Sequence, residues 1–342
     1  MKARDAMSDG QQSTIERATM TAIVAPRYGS SEALRTQAVP RPVAAAGEVL
    51  VRVRAAAVCR GDVHLLTGKP CAIRLGFGLR RPKYPVIGHD LAGDVVDVGP
   101  GVSEFDRGDS VFGAVDSGAF AEFARVPVGR LARVPDGLTV IEAAALPDSG
   151  MTALQGLRDV GGLRAGQKVL VNGASGGVGT SAVQIAKALG ADVTAVCGPR
   201  HVETLRALGA DRVIDYTTAD FTRDTDRYDV LLDLVGNRPL TACRRVLAPK
   251  GVFVSSAGAP GGDWLGPVLW VAKVVLTGLV VGQTMRPLLM RPFRADLEFL
   301  AGLAAEGKLR PVIERRFPLA AAASAVAHVA AGHAQGKTVI VV

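Results

Sequence analysis

The chain has 342 residues, which is enough for about two domains of ordinary size. Hydrophobic residues make up 48% and charged residues 21%, a composition that excludes a disordered chain and allows a large buried core. The net charge is +8, but the basic residues are scattered, and aromatic residues, at 5%, do not alternate with them in any stripe. We therefore expect no nucleic-acid partner and attribute part of the charge balance to a small anionic ligand.

The N-terminal residues and the cysteines indicate in which cellular compartment the protein is expected. Residues 1–19 are polar, have mixed charge and lack the apolar core of a signal peptide, so they are predicted to form a flexible tail. The four cysteines form no Cys-x-x-Cys pair and fit no small disulfide framework, which favours a reducing environment. We expect a cytoplasmic protein.

One apolar stretch, from Trp264 to Gly282, raises the question of a membrane. It contains Pro267, Lys273 and several glycines, which argue against a spanning helix. We interpret it as a buried helix followed by an edge strand from Leu276 to Val281, and we expect no membrane partner. Because an exposed edge strand pairs readily with a second copy of the chain, a homodimer is predicted.

Short strands separated by glycine and proline turns follow the tail. This spacing predicts a compact β-rich domain. The predicted strands are Thr21–Val24, Glu48–Ala57, Asp90–Val98, Ser110–Ala114 and Ala119–Val126.

From about residue 140 the pattern changes. Ile141 to Gly162 has helical spacing, and strands then alternate with helices, which predicts βαβ units and a parallel sheet. The predicted strands are Lys168–Asn172, Asp192–Cys197, Arg212–Asp215, Asp229–Leu234 and Gly251–Ser255, and the predicted helices are Thr180–Leu189, Val202–Leu208 and Pro239–Leu247.

The C-terminal part returns to a mixed pattern, with a helix predicted at Ala295–Glu306 and a last strand at Thr338–Val342. A last strand that pairs back into the β-rich domain would make that domain discontinuous. We therefore predict an α/β protein with a β-rich domain at residues 20–145 and 287–342, and a doubly wound parallel sheet at residues 146–286.

The most specific motif lies between the first parallel strand and its helix. Gly176 and Gly177 allow the backbone to approach a pyrophosphate, and Gly179 allows the helix to pack closely on the strand. The helix N-terminus adds N–H donors and a partial positive charge. We predict that this loop binds a dinucleotide through Ala174, Ser175, Gly176, Gly177, Val178 and Gly179.

The second parallel strand indicates which dinucleotide. NAD sites usually have a carboxylate at the end of this strand, but here the strand continues as Cys197-Gly198-Pro199-Arg200. The guanidinium of Arg200 suits the 2′-phosphate of NADPH in charge and shape. Tyr216, just past the third strand, is predicted to close over the same end of the cofactor.

This region resembles the quinone oxidoreductase (zeta-crystallin-like) branch of the medium-chain dehydrogenase/reductase superfamily. The resemblance extends from about residue 20 to the end and implies a GroES-like catalytic domain, an inserted Rossmann domain, NADPH, and hydride transfer to a quinone or an α,β-unsaturated carbonyl. It also implies a dimer without metal, and it places Thr152 and Lys337 beside the cofactor. The residues that carry it are Gly166, Gln167, Leu170, Ala174 to Gly177, Gly179, Gln184 and Lys187.

Two other segments look like the catalytic zinc segments of zinc alcohol dehydrogenases, namely Cys59 to His64 and Gly88-His89-Asp90. This second resemblance implies a zinc held by Cys59, His89 and Asp148 through S, N and O donors. Gly61, however, stands where that family has a hydroxyl group that starts a proton relay. Zinc is therefore not favoured.

Three functions remain open at this point. The leading hypothesis is NADPH-dependent reduction of a small quinone or enone, with Cys59 as a candidate catalytic residue and His64 as a candidate proton donor at the pocket wall. The second is a zinc-dependent alcohol dehydrogenase or carbonyl reductase. The third is a non-catalytic, crystallin-like NADPH-binding protein.

Overall fold

The computed structural model describes residues 18–256, 266–332 and 334–342. Residues 1–17 of the predicted tail lie outside this part, as does Trp264, and the first strand begins at Thr19. The strands are β1 Thr19–Val24, β2 Arg35–Pro40, β3 Glu48–Val58, β4 Asp90–Val98, β5 Ser110–Ala114, β6 Phe123–Pro127, β7 Leu131–Arg133, β8 Lys168–Asn172, β9 Asp192–Cys197, β10 Arg212–Asp215, β11 Tyr228–Asp233, β12 Leu247–Ser255, β13 Thr284–Pro287, β14 Ile313–Pro318 and β15 Lys337–Val341.

The α-helices are α1 Arg60–Thr67, α2 Arg74–Phe77, α3 Val140–Ala143, α4 Pro147–Leu154, α5 Gly177–Ala188, α6 Val202–Ala207, α7 Leu240–Arg245, α8 Gly266–Val280, α9 Arg294–Ala305 and α10 Ala322–Ala330. The predicted helical region between residues 141 and 162 is divided into α3, α4 and a π-helical turn at Gln155–Val160. Pro147 begins α4 because a proline at the first helical position loses no hydrogen bond.

A mixed sheet forms the β-rich part of the molecule, with strand order β14-β15-β3-β4-β5-β7 and β6 paired to β3. The last strand, β15, runs antiparallel to β3, with Thr338 opposite Val58 and Val341 opposite Ala55. The C-terminus therefore returns to the first sheet, as the sequence pattern predicts. The domain boundaries stay predictions.

A parallel sheet forms the other part, with strand order β10-β9-β8-β11-β12-β13. Val169, Leu170 and Val171 in β8 are fully buried, as expected of a central strand covered on both faces. The strand order reverses direction between β8 and β11, which opens a crevice at the carboxyl ends of these strands, where doubly wound sheets bind ligands.

The prediction for the apolar stretch is wrong in one respect. Leu276 to Val280 belong to α8, and the edge strand of the parallel sheet is β13. Trp270 and Val274 are buried, whereas Leu276 is 61% and Val280 82% exposed, so the helix is buried along only one stripe. A short apolar run satisfies the strand and helix patterns equally, and tertiary packing decides between them.

Smaller differences concern element ends. β6 begins at Phe123 and not at Ala119, because the backbone N–H groups of Ala119 and Phe120 bond to the segment around Gly88. Helix α7 ends at Arg245, and β12 begins at Leu247. Among the described residues, no helix is both long enough and apolar enough to cross a bilayer.

Candidate functional site

The phosphate loop has the geometry that its sequence predicts. Gly173, which follows β8, has φ of +88°, and α5 begins at Gly177. A Cβ on Gly179 would lie 2.3 Å from the carbonyl oxygen of Gly173, so only glycine allows this helix to approach the strand. A Cβ on Gly177 would lie 2.9 Å from Ser149 Oγ. The loop therefore fits a dinucleotide phosphate, and Ser175, Gly176, Gly177, Val178 and Gly179 all line the adjoining cleft.

The opposite wall of this cleft comes from the C-terminal segment. The backbone N–H of Gly336 donates to the carbonyl oxygen of Ser175 at 2.9 Å, so the segment before β15 touches the loop directly. The cleft between them has a volume of about 540 Å³ and includes Lys337 and Arg60 in its lining. Arg60, which sequence reasoning missed, adds a cation to the lining of the cleft, and its Nη1 donates to the carbonyl oxygen of Val329 at 3.4 Å. Its position next to Cys59 was the available signal.

Of the two residues predicted to select the cofactor, Tyr216 lines the cleft and Arg200 does not. Tyr216 is 54% exposed and lines the cleft. A Cβ on Gly198 would lie 3.0 Å from the Tyr216 hydroxyl, so a glycine at this position leaves room for the ring. Arg200 lies on an exposed single turn, Pro199–His201, directly after β9, and does not line the cleft in this structure.

Two other predicted cofactor residues lie behind the cleft wall. Ala174 is fully buried and donates its backbone N–H to Val196. Thr152 is buried in α4, whose Asp148 and Ser149 line the cleft instead. Both residues support the wall and do not form it.

A polar cluster closes the inner end of the cleft. Cys59 precedes α1, and its backbone N–H donates to Asp62 Oδ2 at 2.7 Å. The other oxygen of that carboxylate, Oδ1, lies 2.5 Å from His89 Nδ1. Ligand atoms of Cys59, Asp62 and His89 all lie within 4.8 Å of one another. Sequence reasoning did not single out Asp62, although an acid three residues after a helix-capping position was a readable signal.

The protonation states in this cluster follow from burial and charge. Burial lowers the pKa of His89, but the adjacent Asp62 carboxylate outweighs it and raises that pKa to about 9. Burial and then the Asp62 and Asp148 carboxylates raise the pKa of the Cys59 thiol well above its ordinary value. At neutral pH the cluster therefore contains an imidazolium, a carboxylate and a neutral thiol.

A buried ion pair lies beside this cluster. Lys337 Nζ donates to Asp90 Oδ2 at 3.1 Å, and both side chains are almost fully buried. The backbone N–H of Asp148 donates to the other oxygen of Asp90 at 3.0 Å. Burial lowers the pKa of Lys337, but Asp90 outweighs it, so that the pKa lies above its usual value. Asp90 thus ties β15 and α4 together at the cleft.

The donor set was tested against the zinc that the second resemblance implies. Among the described residues, Cys59 and His89 are grouped with Asp62, and the predicted third ligand, Asp148, does not converge with them. Asp62 already accepts hydrogen bonds from Cys59 and His89, and zinc would require both a thiolate and a neutral imidazole. Asp62 is the third donor of this group, but its carboxylate is taken up by the Cys59 N–H and the His89 ring, so the arrangement as it stands does not fit a catalytic zinc.

His64 lies away from this cluster. It is on the exposed side of α1, with Nδ1 2.8 Å from the carbonyl oxygen of Lys69, and it lines neither cavity described here. The imidazole that the fold places at the site is His89.

A second cavity lies on the other side of the cluster. Its lining combines apolar side chains with the Asp62–His89 pair, which forms its polar end. Cys59 faces the cleft and Asp62 and His89 face this cavity, so the cluster separates the two spaces. The lining residues are Asp62, Leu65, Phe77, Pro82, Lys83, Tyr84, Ile87, Gly88, His89 and Ser117.

Comparisons with known proteins agree with this architecture. Residues 45–136 match the family model of the alcohol dehydrogenase GroES-like domain, and residues 208–340 match that of zinc-binding dehydrogenases. The chain is 34% identical to the chloroplast envelope quinone oxidoreductase homolog of Arabidopsis thaliana, over 91% of this chain and 95% of that protein. It is 36% identical to the mitochondrial NAD(P)H oxidoreductase RTN4IP1 of Mus musculus, over 97% and 91%.

A solved structure gives the same result for the fold. The quinone oxidoreductase from Coxiella burnetii superposes with a TM-score of 0.83 at 28% identity, over 95% of this chain and 100% of that one. The β-rich part is a GroES-like domain, and the parallel sheet is a Rossmann domain. The names of the two relatives refer to a chloroplast and a mitochondrion, and the cytoplasmic location of this chain stays a prediction.

Proposed function

Because this chain belongs to the medium-chain dehydrogenase/reductase superfamily, among its quinone and NAD(P)H oxidoreductases, we propose that it uses NADPH to reduce a small conjugated carbonyl compound, a quinone or an enone. Membership of this family implies a nicotinamide cofactor and oxidoreductase activity. The preference for NADPH and the class of acceptor are what the proposal adds.

The observation that carries the proposal is the position of the Cys59–Asp62–His89 cluster between two cavities. Cys59 lines the cleft that contains the phosphate loop, and the other two residues line the second cavity. The second cavity has a volume of about 20 Å³, which is room for the reacting end of an acceptor and not for the whole molecule, so a cofactor in the cleft and a carbonyl at this cavity would meet at one polar cluster.

Two arginines are the proposed contacts for cofactor phosphates. Arg60 lines the same cleft as the phosphate loop, and its charge suits the pyrophosphate. Arg200 follows the carboxyl end of β9, where NAD-binding proteins usually have a carboxylate and this chain has none. Its exposed guanidinium can turn toward a 2′-phosphate. A contact at Arg60 would serve NADH and NADPH alike, whereas a contact between Arg200 and the 2′-phosphate would favour NADPH.

His89 is the proposed proton donor. When bound, NADPH supplies a hydride, and an acceptor that gains a hydride becomes an anion that needs a proton. Since Nδ1 of His89 is engaged by Asp62, the second ring nitrogen, Nε2, is the one that can serve the cavity. The Asp62 carboxylate keeps the imidazole protonated and fixes its orientation.

The rival functions have less support. A zinc alcohol dehydrogenase needs three protein ligands on the metal, and the third donor beside Cys59 and His89, Asp62, is already hydrogen-bonded to both of them. A non-catalytic NADPH-binding protein would not need an apolar cavity that ends at an imidazolium.

Turnover of NADPH with a quinone, an enone and, in reverse, an alcohol with NADP⁺ tests the proposal. We expect consumption of NADPH with the quinone or the enone, unchanged by a metal chelator. Leu65→Trp, which fills the second cavity, should abolish turnover. The control Leu75→Trp, at a residue that is 82% exposed and outside the lining, should leave it unchanged. Chelator-sensitive alcohol oxidation without reduction of either acceptor would contradict the proposal.

A further inference from the structure

The inner end of the cleft is the part of the fold that a nicotinamide ring would reach. Cys197 and Tyr216 line the cleft where β9 and β10 end, on the side of the phosphate loop at which the adenosine half is predicted. Cys59, from the β-rich domain, and Asp148, from α4, line it at the inner end. A dinucleotide with its pyrophosphate on the loop therefore extends its nicotinamide toward Cys59 and Asp148.

The charges at this inner end do not balance. His89 is paired with Asp62 at 2.5 Å, and Lys337 is paired with Asp90 at 3.1 Å. Asp148 is the acidic residue among the described residues that line the cleft, and its carboxylate has no ion pair or hydrogen bond of its own within the described part of the chain. Two cations therefore face three carboxylates, and the third carboxylate is the one that borders the cleft.

The other cation of the cleft lining does not correct this balance. The Nη1 of Arg60 is directed at the carbonyl oxygen of Val329, at 3.4 Å. Burial raises the pKa of the Asp148 carboxyl, even though Lys337 and then His89 act to lower it. The protein therefore compensates a negative charge on Asp148 only in part, and a cation in the cleft would complete the compensation.

The nicotinamide ring becomes such a cation when it gives up its hydride. The dihydropyridine ring of NADPH is neutral. When its C4–H bond breaks and the electron pair leaves with the hydride for the acceptor, the ring becomes a pyridinium with a positive charge. A carboxylate beside the ring attracts the oxidised form more strongly than the reduced form, and it also attracts the partly charged ring of the transition state.

We propose that the Asp148 carboxylate faces the nicotinamide ring and stabilises the positive charge that the ring gains during hydride transfer. The backbone N–H of Asp148 donates to Asp90 Oδ1 at 3.0 Å, so the first turn of α4 is already fixed at the cleft. A carboxylate held in this way does not have to reorganise when the charge develops. The inference rests on the proposed use of NADPH and is independent of the acceptor class.

The experiment is a pair of equilibrium titrations, one with NADP⁺ and one with NADPH, without any acceptor. Asp148→Asn keeps the shape of the side chain and removes its charge. We expect it to weaken NADP⁺ binding by about tenfold or more and to change NADPH binding by less than about twofold. Asp148→Ala, measured alongside, should show the same selective loss, and retained NADPH binding shows that each variant is folded.

The matched control is Asp159→Asn. It removes a carboxylate that is 45% exposed and paired with Arg158 on the π-helical turn that continues α4, outside the cleft lining. Both affinities should stay unchanged in this variant.

Each outcome decides a separate point. A selective loss of NADP⁺ binding in both Asp148 variants supports the inference. Equal losses of NADP⁺ and NADPH binding, or unchanged binding of NADP⁺, overturn it and leave the proposed function standing. Failure of the unmodified protein to bind either form of the cofactor overturns the proposed function itself.

Discussion

His89 is the residue whose environment departs most clearly from that of an ordinary surface side chain at this site. Its ring is held 2.5 Å from a fully buried carboxylate, and its pKa is raised to about 9. Because the folded-state pKa exceeds the ordinary value of about 6.5, the pair stabilises the fold fully below that value. The contribution is lost as the pH rises through about 9.

The first prediction concerns proton donation. His89→Gln should lower kcat by about 100-fold or more, the usual loss when a positioned general acid is removed. In the unmodified protein kcat should fall as the pH rises through about 9, because the imidazolium loses its proton. His328→Gln, which removes an imidazole paired with Glu314 on β14, is the control and should leave kcat unchanged. A full kcat in His89→Gln would rule out this role.

The second prediction concerns cofactor choice. Arg200→Ala should weaken NADPH binding by about 1.5–3 kcal/mol, the contribution of a charge-assisted phosphate contact, and should leave NADH binding nearly unchanged. Arg206→Ala, which removes a cation paired with Glu203 on α6, is the matched control. Titration of each variant with both cofactors measures the difference. Equal losses for NADPH and NADH would reject the assignment.

Sequence reasoning succeeded at single residues where the chemistry is local. The glycines of the loop were predictable because their roles depend on the strand and helix next to them. The pairing of Asp62 with His89 could be found only by folding, because the two residues are 27 positions apart. The position of Asp148 also could not be predicted from the sequence. A carboxylate can bind a metal, but the carboxylate of Asp148 does not converge with Cys59 and His89.

At the scale of elements, the phosphate loop shows how the space around the backbone determines which positions must be glycine. Gly176 and Gly179 look alike in the sequence but differ in their surroundings. A Cβ on Gly176 would have the Gly173 carbonyl oxygen as its nearest contact, at 3.7 Å, whereas a Cβ on Gly179 would collide with backbone atoms of Gly173 and Ala174. Gly176 also lines the cleft.

The third prediction uses this pair. Gly179→Ala should lower the free energy of unfolding by about 2 kcal/mol or more, because α5 must move away from β8. Gly176→Ala should change it by less than about 1 kcal/mol but should weaken NADPH binding by about tenfold, since the added methyl takes space at the cleft. Denaturant titration and cofactor titration separate the two effects. Similar unfolding free energies for both variants would contradict the packing argument.

Strand positions in the parallel sheet were predicted well because continuous apolar runs bounded by turns have few alternatives. The helix before Leu276 was also predicted, but the C-terminal part of α8 was taken for a strand, because the run Leu276 to Val280 has no periodicity that distinguishes helix from strand. Its side chains are largely exposed in the structure, so burial does not follow from hydropathy alone.

At the scale of the whole molecule, the site exists because the C-terminus returns to the first sheet. Gly336 and Lys337 then face the phosphate loop, and Asp90 connects β15 with α4. The Lys337–Asp90 contact joins residues 247 positions apart and the Asp148–Asp90 contact residues 58 apart, so no local pattern in the sequence could reveal these pairings.

The fourth prediction concerns assembly. β13 is one of the two edge strands of the parallel sheet, the other being β10, and its free side can pair with a second copy across a two-fold axis. We predict a homodimer joined at β13. The sequence had suggested a contact through a strand at Leu276 to Val281, which the structure does not contain. Sedimentation equilibrium at micromolar concentration should give twice the chain mass. A monomer under these conditions would refute the dimer.

The fifth prediction addresses the central claim, that hydride passes from NADPH to a conjugated carbonyl between the two cavities. NADPH carrying deuterium at the transferred C4 position is incubated with an enone in ordinary water, and the product is analysed by mass spectrometry and NMR. We predict one deuterium at the β-carbon and ordinary hydrogen at the α-carbon, because hydride comes from the cofactor and the proton from an exchangeable donor. Reduced product without deuterium at the β-carbon, or no product with any conjugated acceptor, would contradict it.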